Sequence, residues 1–244
     1  MRIAFISDIH ANYEALQTVL EDIETQSIDE IVSLGDIVGY GPNPNECAAV
    51  VKERCEKSVL GNHDQAALGL LSTEYFNEIA KQATQWTINN LSEDTKAYLS
   101  SLPFTEKIED VRLNHSSPLD PEKWTYVLTL EEAKRQFAGF DERICFIGHS
   151  HVPIVLEQGA ERPSAIRYPS DEPLELFPDR RYIVNVGSVG QPRDRDPRSA
   201  YVWYDTQLQT LCLRRLDYEV QTVREKIREA GLPEFLGNRL VEGM

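Results

Sequence analysis

Met1-Arg2-Ile3-Ala4-Phe5-Ile6-Ser7-Asp8-Ile9-His10 opens the chain and decides how the rest of it is read. Ile3 to Ile6 make a short, almost wholly apolar run with β-branched and aromatic residues, the pattern of a buried strand. The strand ends in Asp8-x-His10. In α/β sheets, ligands sit in the crevice beyond the carboxyl ends of the strands. A carboxylate and an imidazole two residues apart can hold one metal ion there if the turn allows it. Asp-x-His alone is a weak sign. The test is whether later strand ends supply matching groups.

They do. Asn12 reads as the N-cap of a helix whose Leu16, Val19, Leu20 and Ile23 repeat at helical spacing. Ile31 to Leu34 read as a second strand, ending in Gly35-Asp36. After the loop Gly39-Tyr40-Gly41-Pro42, a helix opens with Asn43 at the N-cap, Pro44 at N1 and Glu46 at N3. Ser58 to Leu60 read as a third strand, ending in Gly61-Asn62-His63-Asp64. Three βα units with short crossovers imply a parallel sheet. Residues 65 to about 101 are expected to be helical, with Phe76, Ile79, Ala80, Ala83 and Trp86 on one face and Ser92 capping a second short helix. Val111 to Leu113 lead as a strand to Asn114-His115. Thr129 and Glu132 form a capping box for a helix that stops at Gly139, and Ile144 to Ile147 form a strand ending in Gly148-His149-Ser150-His151.

Beyond this point the texture changes. Residues 154–157, 181–186, 200–205 and 209–216 read as strands with no helix between them, which implies a second, largely antiparallel sheet. Residues 157–180 read as a long hairpin or loop, and Glu219 to Ala230 as a helix ended by Gly231.

Composition narrows the classes. The 244 residues are 41% hydrophobic and 27% charged, and no linker or repeat divides them, so one domain over residues 1–244 is expected. No apolar run approaches the roughly 18 residues that cross a bilayer. Asp8 interrupts the first apolar run too early for a signal peptide. No membrane partner and a cytoplasmic location are therefore expected. Cys47, Cys55, Cys145 and Cys212 form no Cys-x-x-Cys pair and read as reduced structural thiols, Cys47 and Cys55 on the core face of one helix. A net charge of −15 argues against an extended nucleic-acid partner, which needs a basic footprint. It leaves room for a small phosphorylated substrate, because bound cations dominate their local field. The sequence leaves monomer or homo-oligomer open.

All five histidines, His10, His63, His115, His149 and His151, follow predicted strands inside polar motifs, accompanied by Asp8, Asp36 and Asn62. Imidazole, carboxylate and amide oxygen are the donors from which a site for Mn, Fe, Zn or Ni is built. Two such metals about 3.5–4 Å apart can clamp a phosphoryl group and hold a hydroxide in line with the bond to be broken.

Together, Asp8-x-His10, Gly35-Asp36-Ile37-Val38-Gly39, Gly61-Asn62-His63-Asp64, His115 and Gly148-His149-Ser150-His151 resemble the five signature blocks of the calcineurin-like metallophosphoesterases, in the family's order, over roughly residues 1 to 200. Gly39-Tyr40-Gly41-Pro42 resembles a branch related to diadenosine-tetraphosphatases and phosphodiesterases. The resemblance implies a four-layer α/β/β/α sandwich of two mixed sheets flanked by helices. It implies a dinuclear, metal-dependent phosphoester hydrolase, a phosphodiesterase or phosphatase, that attacks with a metal-bridging hydroxide. Two divalent ions are expected, Mn²⁺ first, with Fe, Zn, Ni or Mg as alternatives. By the same resemblance, Asp8, His10, Asp36 and His151 would hold one metal, and Asp36, Asn62, His115 and His149 the other, with Asp36 bridging. His63 would face the substrate phosphate as a catalytic group, beside Asn62. Gly187-Ser188-Val189-Gly190-Gln191-Pro192-Arg193 resembles a late block in which the arginine, here Arg193, meets the phosphate.

The chain departs from the family at Ser116, where glycine is expected, and at Leu119, where relatives often carry a basic residue. Neither change removes a ligand; the second weakens any charge-based grip on substrate there. The 65–101 helices and the 116–128 loop are expected to wall the substrate pocket. Two alternatives accompany this reading: a hydrolase of nucleotide polyphosphates of the Ap4A type, and a non-catalytic scaffold like the retromer subunit of this fold. Such scaffolds tend to lose the histidine that His63 matches.

Overall fold

The structure, a computed structural model, describes residues 1–74, 76–159, 163–166 and 170–244. In chain order the elements are β1 (Arg2–Ile6), α1 (Tyr13–Thr25), β2 (Glu30–Ser33), α2 (Pro44–Arg54), β3 (Lys57–Ser58), α3 (Asn62–Ala67), α4 (Glu78–Asn90), α5 (Glu93–Ser100), β4 (Thr105–Ile108), β5 (Val111–Asn114), α6 (Leu130–Gln136), β6 (Ile144–Ile147), β7 (Ile154–Gln158), β8 (Pro163–Ile166), β9 (Pro173–Glu175), β10 (Arg181–Asn185), β11 (Ser199–Asp205), β12 (Thr210–Leu216), α7 (Val220–Glu229) and α8 (Glu234–Glu242). They build two six-stranded mixed sheets, ordered β3-β2-β1-β11-β12-β9 and β4-β5-β6-β10-β7-β8.

The three parallel βα units are present: β1 pairs parallel with β2, and β2 with β3. The late strands, however, do not form an antiparallel sheet of their own. β11 pairs antiparallel with β1, and β12 with β11, completing the first sheet. β10 lies parallel to β6 and antiparallel to β7, inside the second sheet. Strand patterning shows which residues are buried, not which open edge a strand will join.

Four layers result. Between the sheets, Ile3, Phe5, Val32 and Leu34 meet Leu113, Phe146, Val155 and Val184. Here Phe5 and Phe146 stack at 3.8 Å between centroids and 9° between planes. On the outer face of the first sheet, Ala4, Ile6 and Tyr201 pack against Leu16, Val19 and Ile23 of α1 and Val51 of α2. On the outer face of the second, Cys145, Ile147 and Ile183 pack against Ala133 of α6 and Phe137. Because Phe146 is fully buried where the sheets touch, Phe146→Ala is expected to cost about 3–5 kcal/mol. Urea unfolding measures this; a loss under about 1 kcal/mol would mean that the inter-sheet stack contributes little.

Local expectations hold at most caps. Asn12 Oδ1 accepts from Ala15 N at 3.1 Å, Ser92 Oγ from Thr95 N at 3.2 Å, and Thr129 with Glu132 closes its capping box. Asn43 sits at the N-cap of α2 but makes no side-chain cap; its Oδ1 faces Lys226 Nζ at 3.5 Å instead. Residues 65–101 are not continuously helical. α3 ends at Ala67, Gly69 takes a φ of +73°, and Asn77 re-caps the chain by accepting from Ala80 N at 2.9 Å. Cys55 is the C-cap of α2 and half-buried, packed against the core that holds Cys47, and all four cysteines are free thiols. Within 157–180, β8 extends a hairpin with β7 and β9 edges the first sheet; residues 160–162 and 167–169 lie outside the described residues. The sequence reading held no signal for β4 or α8. Among the described residues, no helix is long and apolar enough to cross a membrane.

Candidate metal centre

The loops after β1, β2, β5 and β6, together with the start of α3, converge at one end of both sheets. Asp8, His10, Asp36, Asn62, His115, His149 and His151 are each less than 7% exposed. They assemble into two groups of potential ligands, Asp8 with His10 and His151, and Asp36 with His115 and His149. Asp36 stands between the groups: its Oδ2 lies 3.7 Å from His10 Nε2 and 3.3 Å from His115 Nε2. Asn62 Oδ1 lies 3.2 Å from His115 Nε2. All seven ligands expected from the sequence thus occur in one place.

The histidine tautomers follow from backbone partners. A carbonyl can only accept, so a ring nitrogen facing one carries the proton. Nδ1 of His10 donates to Val38 O at 3.3 Å, Nδ1 of His115 to Leu34 O at 2.8 Å, and Nδ1 of His151 to Gln191 O. Each Nε2 is left with a lone pair aimed inward. His149 is reversed: Nε2 donates to Trp124 O at 3.0 Å, which leaves Nδ1 for a ligand. Such outer partners fix ring orientation in metal sites.

The inward atoms repel one another unless a cation joins them. Nε2 of His10 and Nε2 of His151 lie 3.2 Å apart, and Asp8 Oδ1, fully buried, has no hydrogen-bond partner. A divalent ion in each group would satisfy these inward lone pairs, so the residues present fit a pair of cations. The electrostatics agree. Burial pushes the Asp8 and Asp36 carboxyls up, but neighbouring His151 and His115 outweigh it and hold both well below the usual range. Burial would lower His115, yet Asp36 beside it raises it to about 9. The field that attracts that proton would attract a metal ion.

The backbone is strained at the same places. Asp8, His10, Asp36, His149 and His151 have φ values of 54°, 49°, 51°, 65° and 59°, in the left-handed region. Each costs about 1–3 kcal/mol for a residue with a Cβ, and such strain concentrates at functional sites. Two glycines allow the loops to close. A Cβ on Gly61 would overlap the Asp36 carboxylate, and one on Gly148 would overlap Ser7 and Asp8. Asp64 straps the loops together, accepting from Val38 N and Gly61 N, both at 3.0 Å.

His63 lies beside these groups and not within them. Its backbone N–H donates to Asp36 Oδ1 at 2.8 Å. Its ring packs 5.0 Å from His10, 4.4 Å from Tyr40 and 5.2 Å from Phe76, and burial lowers its pKa to about 4, against the opposing pull of Asp36. Arg193 reaches the same corner, with its guanidinium 5.9 Å from the Tyr40 ring. Trp124 and Tyr126 flank the other side, against His115 at 5.8 Å and against His149 at 4.1 Å. Phe76 of the 65–101 segment and Trp124 and Tyr126 of the 116–128 loop thus pack against His63, His115 and His149. The Trp124 and Gln191 carbonyls and the Asp64 strap had no signal in sequence beyond proximity to a motif.

Comparison with known proteins agrees. The family described as calcineurin-like phosphoesterase superfamily domain matches residues 1–208. An uncharacterized protein of Methanocaldococcus jannaschii is 38% identical over 245 residues, covering 99% of this chain and 98% of its own. A metallophosphoesterase structure from Sphaerobacter thermophilus superposes with a TM-score of 0.89 at 40% identity, covering 100% of this chain and 99% of that one. A symmetrical bis(5'-nucleosyl)-tetraphosphatase of Baumannia cicadellinicola is 36% identical over 78 residues, 31% of this chain and 27% of that protein.

Proposed function

This chain belongs to the calcineurin-like phosphoesterase superfamily and is a metal-dependent phosphoesterase, and from that premise we propose that it is a dinuclear hydrolase of small phosphoesters, acting on diesters or monoesters. The observation that carries this reading is the Asp36 carboxylate standing between two buried ligand groups, one of which holds Asp8 Oδ1 without a hydrogen-bond partner. Asp8, His10, Asp36 and His151 would hold one cation, and Asp36, Asn62, His115 and His149 the other. When bound, the cations would lower the pKa of water toward about 7 and draw charge from the phosphoryl oxygens. Imidazole and carboxylate together suit Mn²⁺, with Fe, Zn, Ni or Mg as alternatives.

The chain's own residues do the rest. The His63 backbone N–H holds the Asp36 carboxylate at a fixed angle. The His63 ring, fixed by Tyr40 and Phe76, faces the place where charge develops and either donates a hydrogen bond to a phosphoryl oxygen or protonates the leaving oxygen. Asn62 contributes a neutral oxygen, so it adds no negative charge against the incoming phosphate. Arg193, whose guanidinium lies 5.9 Å from the Tyr40 ring, would grip the phosphate with a guanidinium fork.

The test is hydrolysis of bis-p-nitrophenyl phosphate and p-nitrophenyl phosphate across added Mn²⁺, Fe²⁺, Zn²⁺, Ni²⁺ and Mg²⁺, with metal content measured. Turnover with two bound metals per chain is expected. A folded sample with both sites filled and no turnover with any metal would sink the proposal. A second reading, hydrolysis of nucleotide polyphosphates, draws on the local likeness to a bis(5'-nucleosyl)-tetraphosphatase. A substrate screen with Ap4A and cyclic nucleotides beside the simple esters separates the two.

A further inference from the structure

We propose that Trp124 is the positioning residue of the second cation site, and that the bond from its indole to Gln65 makes the 116–128 loop a brace for that site and not for the first. This rests on the two-cation reading above and concerns how the chain makes its two sites unequal.

The ligands that belong to the second group without being shared are Asn62, His115 and His149, and Trp124 is tied to each. Its carbonyl accepts from His149 Nε2 at 3.0 Å, which leaves Nδ1 for a cation. Its ring meets that of His115 edge-on, with centroids 5.8 Å apart and planes at 70°. Its Nε1–H donates to Gln65 Oε1 at 3.2 Å, and Gln65 sits on α3, one turn beyond Asn62. Asn62 Oδ1 in turn lies 3.2 Å from His115 Nε2.

The second group spans the sandwich. His115 and His149 follow β5 and β6 of one sheet, whereas Asn62 follows β3 of the other. The indole–amide bond crosses that gap. On its own side the loop is held separately: Leu119 N donates to Gln136 Oε1 at 3.0 Å, and Val127 is buried in one cluster with Phe137. Trp124 itself takes a φ of 53° and a ψ of 40°. That left-handed conformation is costly for a bulky aromatic residue and persists only where the surrounding contacts hold it. The carbonyl on His149 and the N–H on Gln65 are two such contacts, one at each end of the residue. The first group is held by partners outside this loop: Asp8 by the His149 backbone N–H, His10 by Val38 O and His151 by Gln191 O. Groups that orient a ligand from behind typically account for 10- to 100-fold in metal affinity, so loosening Trp124 should fall on one cation and spare the other.

The experiment titrates metal-stripped protein with Mn²⁺, followed by calorimetry and by electron paramagnetic resonance, for the wild type, Trp124→Phe, Gln65→Leu and the double variant. His149→Ala, which removes a ligand, identifies the binding step of the second group. Trp124→Phe keeps an aromatic ring and the carbonyl but removes the N–H. It should weaken that step about 10- to 100-fold and leave the other unchanged. Gln65→Leu should match it, and the double variant should be no weaker than either single, because all three lack the same bond. Thermal unfolding of the metal-free variants checks that the fold is kept. Equal weakening of both steps, or losses that add in the double variant, would overturn the assignment. Two ions bound with wild-type affinity in every variant would remove the brace alone, whereas a wild type that takes up a single ion would remove the two-cation reading and the brace with it.

Discussion

Asp36→Ala is expected to remove both metals' common anchor and to lower kcat/KM for phosphoester hydrolysis by at least about 10³-fold, equivalent to roughly 4 kcal/mol of transition-state stabilisation. The geometry explains why this position should outweigh any single histidine. Asp36 Oδ2 faces His10 and His115, which belong to different ligand groups, and Oδ1 is held by the His63 N–H. Its removal therefore weakens both groups at once. The residue also sits at a φ of 51°, so it contributes strain in exchange for placement. The metal-free variant should be less stable than the metal-free wild type, because the His63 N–H and the His115 ring lose their buried partner. Metal analysis, kinetics and thermal unfolding read the three effects separately. A variant that keeps two metals and a tenth or more of the activity would show that the bridge is not needed.

His63→Ala is expected to behave differently. Two metals should remain, because His63 contributes only its backbone N–H to the ligand set, and that group survives the substitution. The imidazole is lost from its place between Tyr40, Phe76 and His10. A positioned ring acting on developing charge or on the leaving oxygen contributes about 10²–10⁴-fold, so kcat should fall by that factor with little change in KM. His63→Asn, which keeps a hydrogen-bond donor but cannot deliver a proton, divides the two roles. Recovery of most activity assigns charge stabilisation, whereas no recovery assigns proton transfer. Full activity in the alanine variant would take the imidazole out of the reaction.

Much of this site was legible early, for a physical reason. A ligand residue must be an imidazole, carboxylate or amide, and those types at successive strand ends are rare enough to notice. Asp8-x-His10, Asp36, Asn62, His115, His149 and His151 could be named from the chain, and the structure brings all of them together. Caps such as Asn12 and Ser92 were also legible, because a side chain that accepts from the backbone three residues on is a local event. Asn43 shows the limit: a good cap by type, it faces Lys226, 183 residues away, instead.

The sequence by itself determined the chemistry of the donors, the alternation of strand and helix through β3, and the absence of a basic footprint. Each of these is a property of residue type or short-range period. Tertiary structure decided which sheet edge each late strand joined and which nitrogen of each histidine was turned inward. Those outcomes depend on groups tens to hundreds of residues apart competing for the same contacts. The left-handed turns at Asp8, His10, Asp36, His149 and His151 belong to the same class, because only the packed whole holds five residues where none of them would sit alone.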